Sequence, residues 1–296
     1  MALTDMLERA ADFESTENAL ALVSDAFFGD EPIQPAHPIH AAYLHHFQNP
    51  GGGARARLAQ RCAALLGIAE ERGAWIAAAV ECLHNASLVQ DDLQDKSRSR
   101  RGRASVVEEF GVHIALGLTD RLITTSFVCL ARVSLVTALP GLIRQVHRAV
   151  AETVDGQTSE LSQGLGMCSL DSRLAAAKKK SGPLFALAIE LPLILANQQK
   201  HLETAHHGAC LFGLGYQILD DLTDQAADVD SSSQGNLVLA MKSDAAGESA
   251  QAVAARLARR LLGNAIVQAE SLPLGAGRPL IEMAEALFPK LNAFDT

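Results

Sequence analysis

The sequence is poor in aromatic residues and has no excess of positive charge. Phe, Trp and Tyr make up only 4% of its 296 residues, whereas Ala and Leu, which are good helix formers, supply most of the apolar content. This composition favours an all-α fold over a sandwich or a barrel. The net charge of −9 argues against nucleic acid as a partner, because binding to a phosphate backbone requires a basic face.

Signals for disulfides, structural zinc and export are also missing. The five cysteines form no Cys-x-x-Cys pair, so we expect reduced, partly buried thiols. Residues 1–15 lack the basic and apolar regions of a signal peptide. The longest apolar stretch, at 184–196, contains Glu190 and Pro192 and suits a buried helix better than a membrane span. These features predict a cytoplasmic protein without a transmembrane segment.

Most of the chain shows apolar residues at helical spacing, interrupted by short polar or glycine-rich segments. A long helix is predicted from about Glu70 to Asp95, followed by a loop rich in arginine. The stretch 226–236 is the clearest candidate for a long loop. Neither a composition shift nor a repeat divides the sequence, so we predict one helical domain over residues 1–296.

Two copies of an aspartate-rich motif carry the strongest chemical signal. DDLQD occupies residues 91–95, and DDLTD occupies residues 220–224. On a helix the first and last aspartates of each copy share one face, where neighbouring carboxylates repel each other unless a cation compensates. Mg²⁺ suits these ligands, because it prefers oxygen atoms and leaves positions for phosphate oxygens. One copy would be weak evidence, but two predict a metal–diphosphate site inside a helical bundle.

An arginine cluster directly follows the first motif. Arg98, Arg100, Arg101 and Arg103 all come after the aspartates rather than between them. A surface network of ion pairs would interleave the two signs of charge. The segregated order suits a ligand that is itself negative and brings cations with it.

These segments resemble the trans-isoprenyl diphosphate synthase (polyprenyl synthetase) family. The segment at 88–106, LVQDDLQDKSRSRRGRASV, is similar to the family's first aspartate-rich motif with its Arg-Arg-Gly tail. YQILDDLTD, at 216–224, is similar to the second. DGQTSEL at 155–161 and KSGPLF at 180–185 resemble two further motifs, in the family's order and spacing.

The resemblance implies an all-α, single-domain helical bundle of the isoprenoid synthase type with a deep central cavity, usually a homodimer. It implies a transferase of prenyl groups that joins a C5–C15 allylic diphosphate to isopentenyl diphosphate, with three Mg²⁺ ions and bound diphosphate. Ala86 and Ser87, five and four positions before the first motif, match the floor of the family's cavity. Because both are small, we expect a trans product of about C20 (geranylgeranyl diphosphate) or C15.

The matching positions also imply roles for individual residues. Arg100, Lys180 and Gln217 would contact the allylic diphosphate. Arg57, His84 and Arg101 would hold the isopentenyl diphosphate. The metal ligands would be Asp91, Asp95, Asp220 and Asp224. The catalytic residues would be Asp91, Asp92, Asp95, Asp220, Asp221, Lys180 and Arg100. The substrate-binding residues would be Arg57, His84, Arg100, Arg101, Lys180, Ser181, Gln157 and Gln217.

Departures from the family pattern leave other functions open. Ala54 stands where the family's glycine hinge has a lysine, and Glu160 replaces an aspartate. No lysine or arginine follows the second motif before Lys242. One alternative is therefore a prenyltransferase with a different acceptor, or a diphosphate-ionising enzyme like a terpene synthase. Another is a non-catalytic partner subunit of an active synthase, although two complete aspartate motifs argue against it.

Overall fold

The computed structural model describes residues 17–29, 37–49, 51–163, 169–231, 236–241 and 249–294. These residues are mostly helical, and the two strands among them have two residues each, so the predicted all-α class is confirmed. They form two compact units. The first runs to Ile143 without Leu65–Gly67, and the second combines Leu65–Gly67 with the residues from Arg144 onward. The single domain and the deep central cavity stay predictions.

The first unit carries the first aspartate motif and the arginine segment. Its longest helices, α4 and α6, pack along each other. Its elements are α1 (17–28), α2 (Pro38–Phe47), α3 (Ala54–Leu65), α4 (Glu70–Gln94), β1 (Ser99–Arg100), β2 (Arg103–Ala104), α5 (Val106–Phe110) and α6 (Val112–Arg132).

The second unit carries the second aspartate motif. Its core is formed by α9, which packs against both α8 and α11. Its helices are most of α7 (Leu139–Gln163), α8 (Leu170–Leu195), α9 (Leu202–Ser231), α10 (Leu237–Met241), α11 (Ala250–Glu270), α12 (Arg278–Glu285) and α13 (Phe288–Leu291), with 3₁₀ turns at Gln199–His201, Pro273–Gly275 and Asn292–Phe294.

Helix α4 is buried on all sides through its middle and is accessible at its first turn and near its end. Every residue from Gly73 to Leu83 is buried, and all of them except Glu81 are apolar or glycine, as expected of a helix in the centre of a core. Its first turn contains Glu70 and Glu71, whose charges favour a helix N-terminus. The first aspartate motif therefore lies where a rigid, buried helix reaches solvent.

Helices α8 and α9 approach each other unusually closely. A Cβ atom added at Gly213 would lie 2.8 Å from the Cα of Gly182, and one added at Gly182 would lie 2.7 Å from the Cα of Cys210. Only glycine allows two backbones to come this near. The approach places Ser181 of α8 beside Gln217 of α9, where their side chains hydrogen-bond.

The structure corrects two local predictions. Helix α9 continues to Ser231, so the loop predicted for 226–236 is wrong for its first half, whereas 232–235 lie outside the described residues. The reason is that no Gly or Pro interrupts this stretch before Gly235. The arginine loop is a hairpin in which Arg100 pairs with Arg103. Helix α4 ends at Gln94, within one residue of the prediction.

Among the described helices, α6 alone is long and apolar enough to cross a membrane, judged by length and composition. Core helices of soluble proteins meet the same criterion, and 44% of its apolar window is buried within the protein. One such helix is weak evidence for a membrane span, so the absence of a transmembrane segment stays a prediction.

The described cysteines agree with the prediction of reduced thiols in the interior. Cys62, Cys82, Cys129 and Cys210 are buried and form no disulfide. Burial raises the pKa of Cys62 to about 12, so this thiol stays protonated and unreactive at neutral pH. Cys168 lies outside the described residues.

A charged cluster in the second unit links α7, α8 and α9 through His206. Its Nδ1 lies 3.1 Å from a carboxylate oxygen of the fully buried Glu190, and its Nε2 lies 3.1 Å from Glu152. Hydrogen bonds with the Cys210 thiol and with Glu190 raise the pKa of His206 to about 10, although burial opposes them. His206 is therefore a cation at neutral pH that compensates a buried carboxylate.

We predict that His206→Leu lowers the free energy of unfolding by about 3–5 kcal/mol at pH 7, because it leaves Glu190 buried without its cation. The folded pKa of His206 is above its ordinary value of 6.5. Its contribution to stability is therefore complete below about pH 6.5 and is lost as the pH rises to about 10. Urea unfolding of the unmodified protein and of His206→Leu between pH 6 and 10 gives the free energy of unfolding as a function of pH. The two curves should converge at high pH.

The neighbouring His207, which is exposed, provides the matched control. His207→Leu should change the free energy of unfolding by less than about 0.5 kcal/mol at any of these pH values. Equal effects of the two substitutions would contradict a specific role for His206.

Candidate active site

The three aspartates of the first motif differ sharply in their surroundings. Asp95 is exposed and Asp91 is half-buried, whereas Asp92 is only 1% exposed. Arg100 Nε donates to both oxygens of Asp92, at 2.9 and 2.8 Å, and Arg100 Nη2 lies 2.7 Å from Oδ1. This contact holds Asp92 in place, and Asp91 and Asp95 are the pair that reaches solvent.

The second motif repeats this division with different partners. Asp220 and Asp224 are exposed, whereas Asp221 is buried. Its Oδ1 accepts a hydrogen bond from Gln217 Nε2 at 2.8 Å, and its Oδ2 accepts one from the backbone N–H of Leu237 at 2.8 Å. We call Asp92 and Asp221 the inner aspartates, and the other four the outer aspartates.

The outer aspartates fit Mg²⁺ that arrives together with a phosphate ligand. The described residues contain no group of three or more His, Cys, Asp or Glu side chains that could hold a metal ion. Each motif instead offers two carboxylates one helical turn apart at the protein surface. Mg²⁺ is commonly held by one or two carboxylates together with substrate phosphates, rather than by an all-protein cage. Two outer aspartates in each motif match that donor set.

The hairpin between β1 and β2 determines where the arginines lie. Arg101 and Gly102 form its two-residue turn, with φ values of +52° and +77°, the left-handed conformation of a type I′ turn. Arg101 donates to the backbone carbonyl of Asn49, and its guanidinium packs against Gly51. Arg98 pairs at the surface with Glu108 instead, so only part of the arginine cluster surrounds the site.

A small, partly open pocket lies between the end of α2 and this hairpin, and it has room for about one water-sized group. Asn85 Oδ1 lies 2.9 Å from the Nε2 atom of the buried His46. Helical periodicity alone does not show that His45, His46 and Asn49 line this pocket, because only folding brings α2 beside the hairpin. The lining residues are His45, His46, Asn49, Asp92, Arg100, Arg101, Arg103, Ala104, Ser105 and Val106.

The glycine hinge and His84 meet nearby in the first unit. Arg55 Nη1 lies 3.3 Å from His84 Nε2, and Arg57 donates to the Gly52 carbonyl. Burial, followed by the charges of Arg55 and Arg101, holds the pKa of His84 well below its usual value. A guanidinium can only donate, so the neutral His84 accepts this hydrogen bond through Nε2. The structure thus brings His84, one of the expected isopentenyl diphosphate ligands, into contact with Arg55, while Arg57 contacts the glycine hinge.

The remaining predicted ligands lie in the second unit. Lys180 forms an ion pair with Glu160 at 2.8 Å, the residue that replaces the family's aspartate. Ser181 donates to the Oε1 atom of Gln217 at 3.1 Å. Gln157 is buried, and neither polar atom of its amide has a hydrogen-bond partner in the described part of the chain. An orphaned amide of this kind is suited to a ligand or an ordered water.

The two predicted floor residues lie on α4, before the first motif. Ala86 is buried, and the half-buried Ser87 donates to the His84 carbonyl at 2.8 Å. Ala78 and Ala79, two turns earlier, are also buried. Small side chains thus occur at Ala78 and Ala79 and again at Ala86 and Ser87, with Leu83 between them.

Comparisons with known proteins agree with these features. The family model for polyprenyl synthetase matches residues 37–236. Geranylgeranyl diphosphate synthase of Pantoea ananas is 32% identical over 165 residues, which cover 52% of this chain and 53% of that protein. Geranylgeranyl pyrophosphate synthase of Geoglobus acetivorans is 29% identical over 192 residues, which cover 63% of this chain and 59% of that protein. The chain thus spans between half and three fifths of these curated relatives' length.

Solved structures show the same fold. The geranylgeranyl pyrophosphate synthetase of Geoglobus acetivorans superimposes with a TM-score of 0.81, covering 93% of this chain and 99% of that one. The identity in this comparison is 20%, so it supports the architecture alone.

We predict that Gly51→Ala weakens binding of inorganic pyrophosphate by about tenfold, the effect of losing one charge-assisted hydrogen bond. The added Cβ would lie 2.6 Å from Arg101 Nη2, and the φ of +79° at Gly51 disfavours alanine. Arg101 would therefore have to leave its position. Isothermal titration calorimetry with pyrophosphate measures the effect.

Gly52→Ala is the control, because a Cβ atom there meets no atom within 4 Å. It should bind pyrophosphate as the unmodified protein does. Equal affinities in all three proteins would show that Arg101 takes no part in anion binding.

Proposed function

Because the chain belongs to the polyprenyl synthetase family, we propose that it is a magnesium-dependent prenyltransferase. It condenses a C5–C15 allylic diphosphate with isopentenyl diphosphate and releases a trans product of about C20 or C15. The observation that carries the proposal is the shared division of the two aspartate motifs. In each, a buried inner aspartate is fixed by hydrogen bonds while two outer aspartates face solvent.

The allylic half of the reaction needs charge stabilisation as the C–O bond to the diphosphate breaks. Mg²⁺ held by Asp91 and Asp95, and by Asp220 and Asp224, would neutralise the leaving diphosphate when bound. Arg100 enters the reaction already oriented by Asp92. Lys180 is oriented by Glu160, and Gln217 by Ser181 and Asp221. These residues bind and orient the diphosphate, and none of them is required to act as a nucleophile.

The condensation with isopentenyl diphosphate depends on how the protein positions this acceptor, and it requires no covalent bond between substrate and protein. Arg57, His84 and Arg101 would hold the isopentenyl diphosphate so that its double bond lies over the allylic cation. Ala54 supplies no charge here, but Arg55 contacts His84 and offers a guanidinium in the same region. The proton lost at the end goes to the released diphosphate.

A homodimer and a cytoplasmic location belong to the same proposal. Helix α6 exposes Val112, Leu116 and Phe127 on one side, an apolar surface that a second copy of the chain would cover. A native mass of twice 31.4 kDa by sedimentation would support this assembly, and a monomer would exclude it.

Product mass spectrometry tests the proposed function. The purified protein is incubated with Mg²⁺, isopentenyl diphosphate and, separately, C5, C10 and C15 allylic diphosphates. We expect one longer trans diphosphate, and a loss of at least about 100-fold in rate for Asp91→Asn and for Asp220→Asn. Conversion to an alcohol or hydrocarbon would indicate a terpene-synthase-like enzyme or a different acceptor. No consumption of any substrate would favour a non-catalytic partner subunit.

We predict that Ala86→Phe shortens the product, because a buried ring five residues before Asp91 occupies the space into which the chain grows. A C20 product should become C15 or shorter. Overpacking alone costs about 1–3 kcal/mol, so the melting temperature is measured as well, and the smaller Ala86→Leu serves as a second variant. An unchanged product length in folded variants would show that Ala86 does not limit chain growth.

A further inference from the structure

The hydrogen-bond pattern around His46 fixes which of its ring nitrogens carries the proton. Asn85 Nδ2 donates to the backbone carbonyl of Glu81 at 2.9 Å and to its side-chain Oε1 at 2.9 Å. Both acceptors require the amide nitrogen to face Glu81, so Asn85 Oδ1 faces His46. An amide oxygen only accepts, and His46 Nε2 at 2.9 Å must therefore donate. In the neutral imidazole, Nδ1 then carries a lone pair.

The pocket beside His46 holds positive charge that the described residues do not neutralise by contact. Asp92 compensates Arg100. Arg101 donates to the Asn49 carbonyl and Arg103 donates to Gln48, and neither forms an ion pair with a described carboxylate. The pocket therefore favours an anion with more than one negative charge, such as a terminal phosphate that inserts one oxygen.

The charge of such an anion would act on the protonation of His46. Burial lowers its pKa to about 4, and the charges of Arg101 and Arg100 contribute to the same effect, while the hydrogen bond with Asn85 opposes it. A bound phosphate adds negative charge and screens the arginines, so it favours the imidazolium. The titratable and charged groups around His46 are His45 on α2, Glu81, His84 and Asp92 on α4, and Arg100, Arg101 and Arg103 on the hairpin.

We propose that His46 is a proton-linked ligand of the acceptor's diphosphate: it is neutral when the pocket holds no anion, and it takes up a proton as the phosphate binds beside Arg101. Glu81 and Asn85 position it, since they hold Nε2–H and leave Nδ1 to be protonated. The identity of the ligand as an acceptor diphosphate rests on the proposed function. The coupling of a proton to phosphate binding rests on the pocket itself.

Calorimetric titration with inorganic pyrophosphate at pH 7, without Mg²⁺, tests the proposal in two buffers of different ionisation enthalpy. The difference between the buffers gives the number of protons taken up per pyrophosphate. His46→Gln keeps a side-chain N–H for Asn85 but cannot be protonated. We expect the unmodified protein to take up close to one proton more than His46→Gln. The proton that pyrophosphate itself gains or loses is common to both and cancels.

His45→Gln is the matched control. His45 lines the same pocket, and its Nε2 lies 2.8 Å from the Ala104 carbonyl. This variant should take up protons as the unmodified protein does. The ¹⁵N chemical shifts of His46 provide an independent readout. They should show an Nε2–H neutral ring before pyrophosphate is added and an imidazolium afterwards.

Two results would overturn the inference. If pyrophosphate binds with the same proton uptake in the unmodified protein and in His46→Gln, His46 is a structural residue. If no pyrophosphate binds at all, the pocket is not an anion site. In either case the product assay separates this failure from that of the proposed function, because synthase activity would remain. A synthase also gives a kinetic signature: His46→Gln should raise the KM for isopentenyl diphosphate about tenfold and leave kcat unchanged.

Discussion

The buried ion pair between Asp92 and Arg100 is the contact on which the first half of the site depends. Asp92 is almost fully inaccessible, and removal of its partner would leave a charge buried without compensation, at a cost of about 3–5 kcal/mol. Because Arg100 belongs to β1, the same contact anchors the hairpin to the end of α4. The left-handed turn at Arg101 then directs the next guanidinium towards Asn49 and Gly51. One ion pair thus positions the groups assigned to both diphosphates.

In the second motif the buried aspartate is held by hydrogen bonds from uncharged donors. Asp221 receives them from Gln217 and from the backbone of Leu237, and Ser181 fixes the other end of Gln217. That chain of contacts depends on Gly182 and Gly213, which let α8 and α9 approach closely enough for Ser181 to reach Gln217. These hydrogen bonds keep the inner aspartate oriented. In each Asp-Asp pair the second aspartate is therefore buried and hydrogen-bonded, whereas the first is more exposed.

Sequence patterns predicted the helical class and the extent of α4, because those depend on local periodicity and on residue chemistry. They did not predict the hairpin at Arg101 or the helix through Ser231. Polar composition suggested loops in both places, but the backbone forms a left-handed turn at Arg101 and stays helical to Ser231. The hydrogen bond between His46 and Asn85 could not be predicted from the sequence for another reason. The two residues are 39 positions apart, and their contact exists only once α2 packs beside α4. Non-local polar contacts of this kind leave no period in the sequence.

The cations that we propose for the two diphosphates differ in how the protein itself compensates them. Lys180 and Arg100, assigned to the allylic diphosphate, already face Glu160 and Asp92, so an incoming diphosphate must compete with a carboxylate or bring Mg²⁺ of its own. Arg101 and Arg103 have no ion-pair partner among the described residues, and a phosphate can bind them without displacing one. Metal dependence should therefore be strong for the allylic ligand and weak for the acceptor. Protonation of His46 would add charge to the acceptor side, where no outer aspartate is assigned to bring a metal ion.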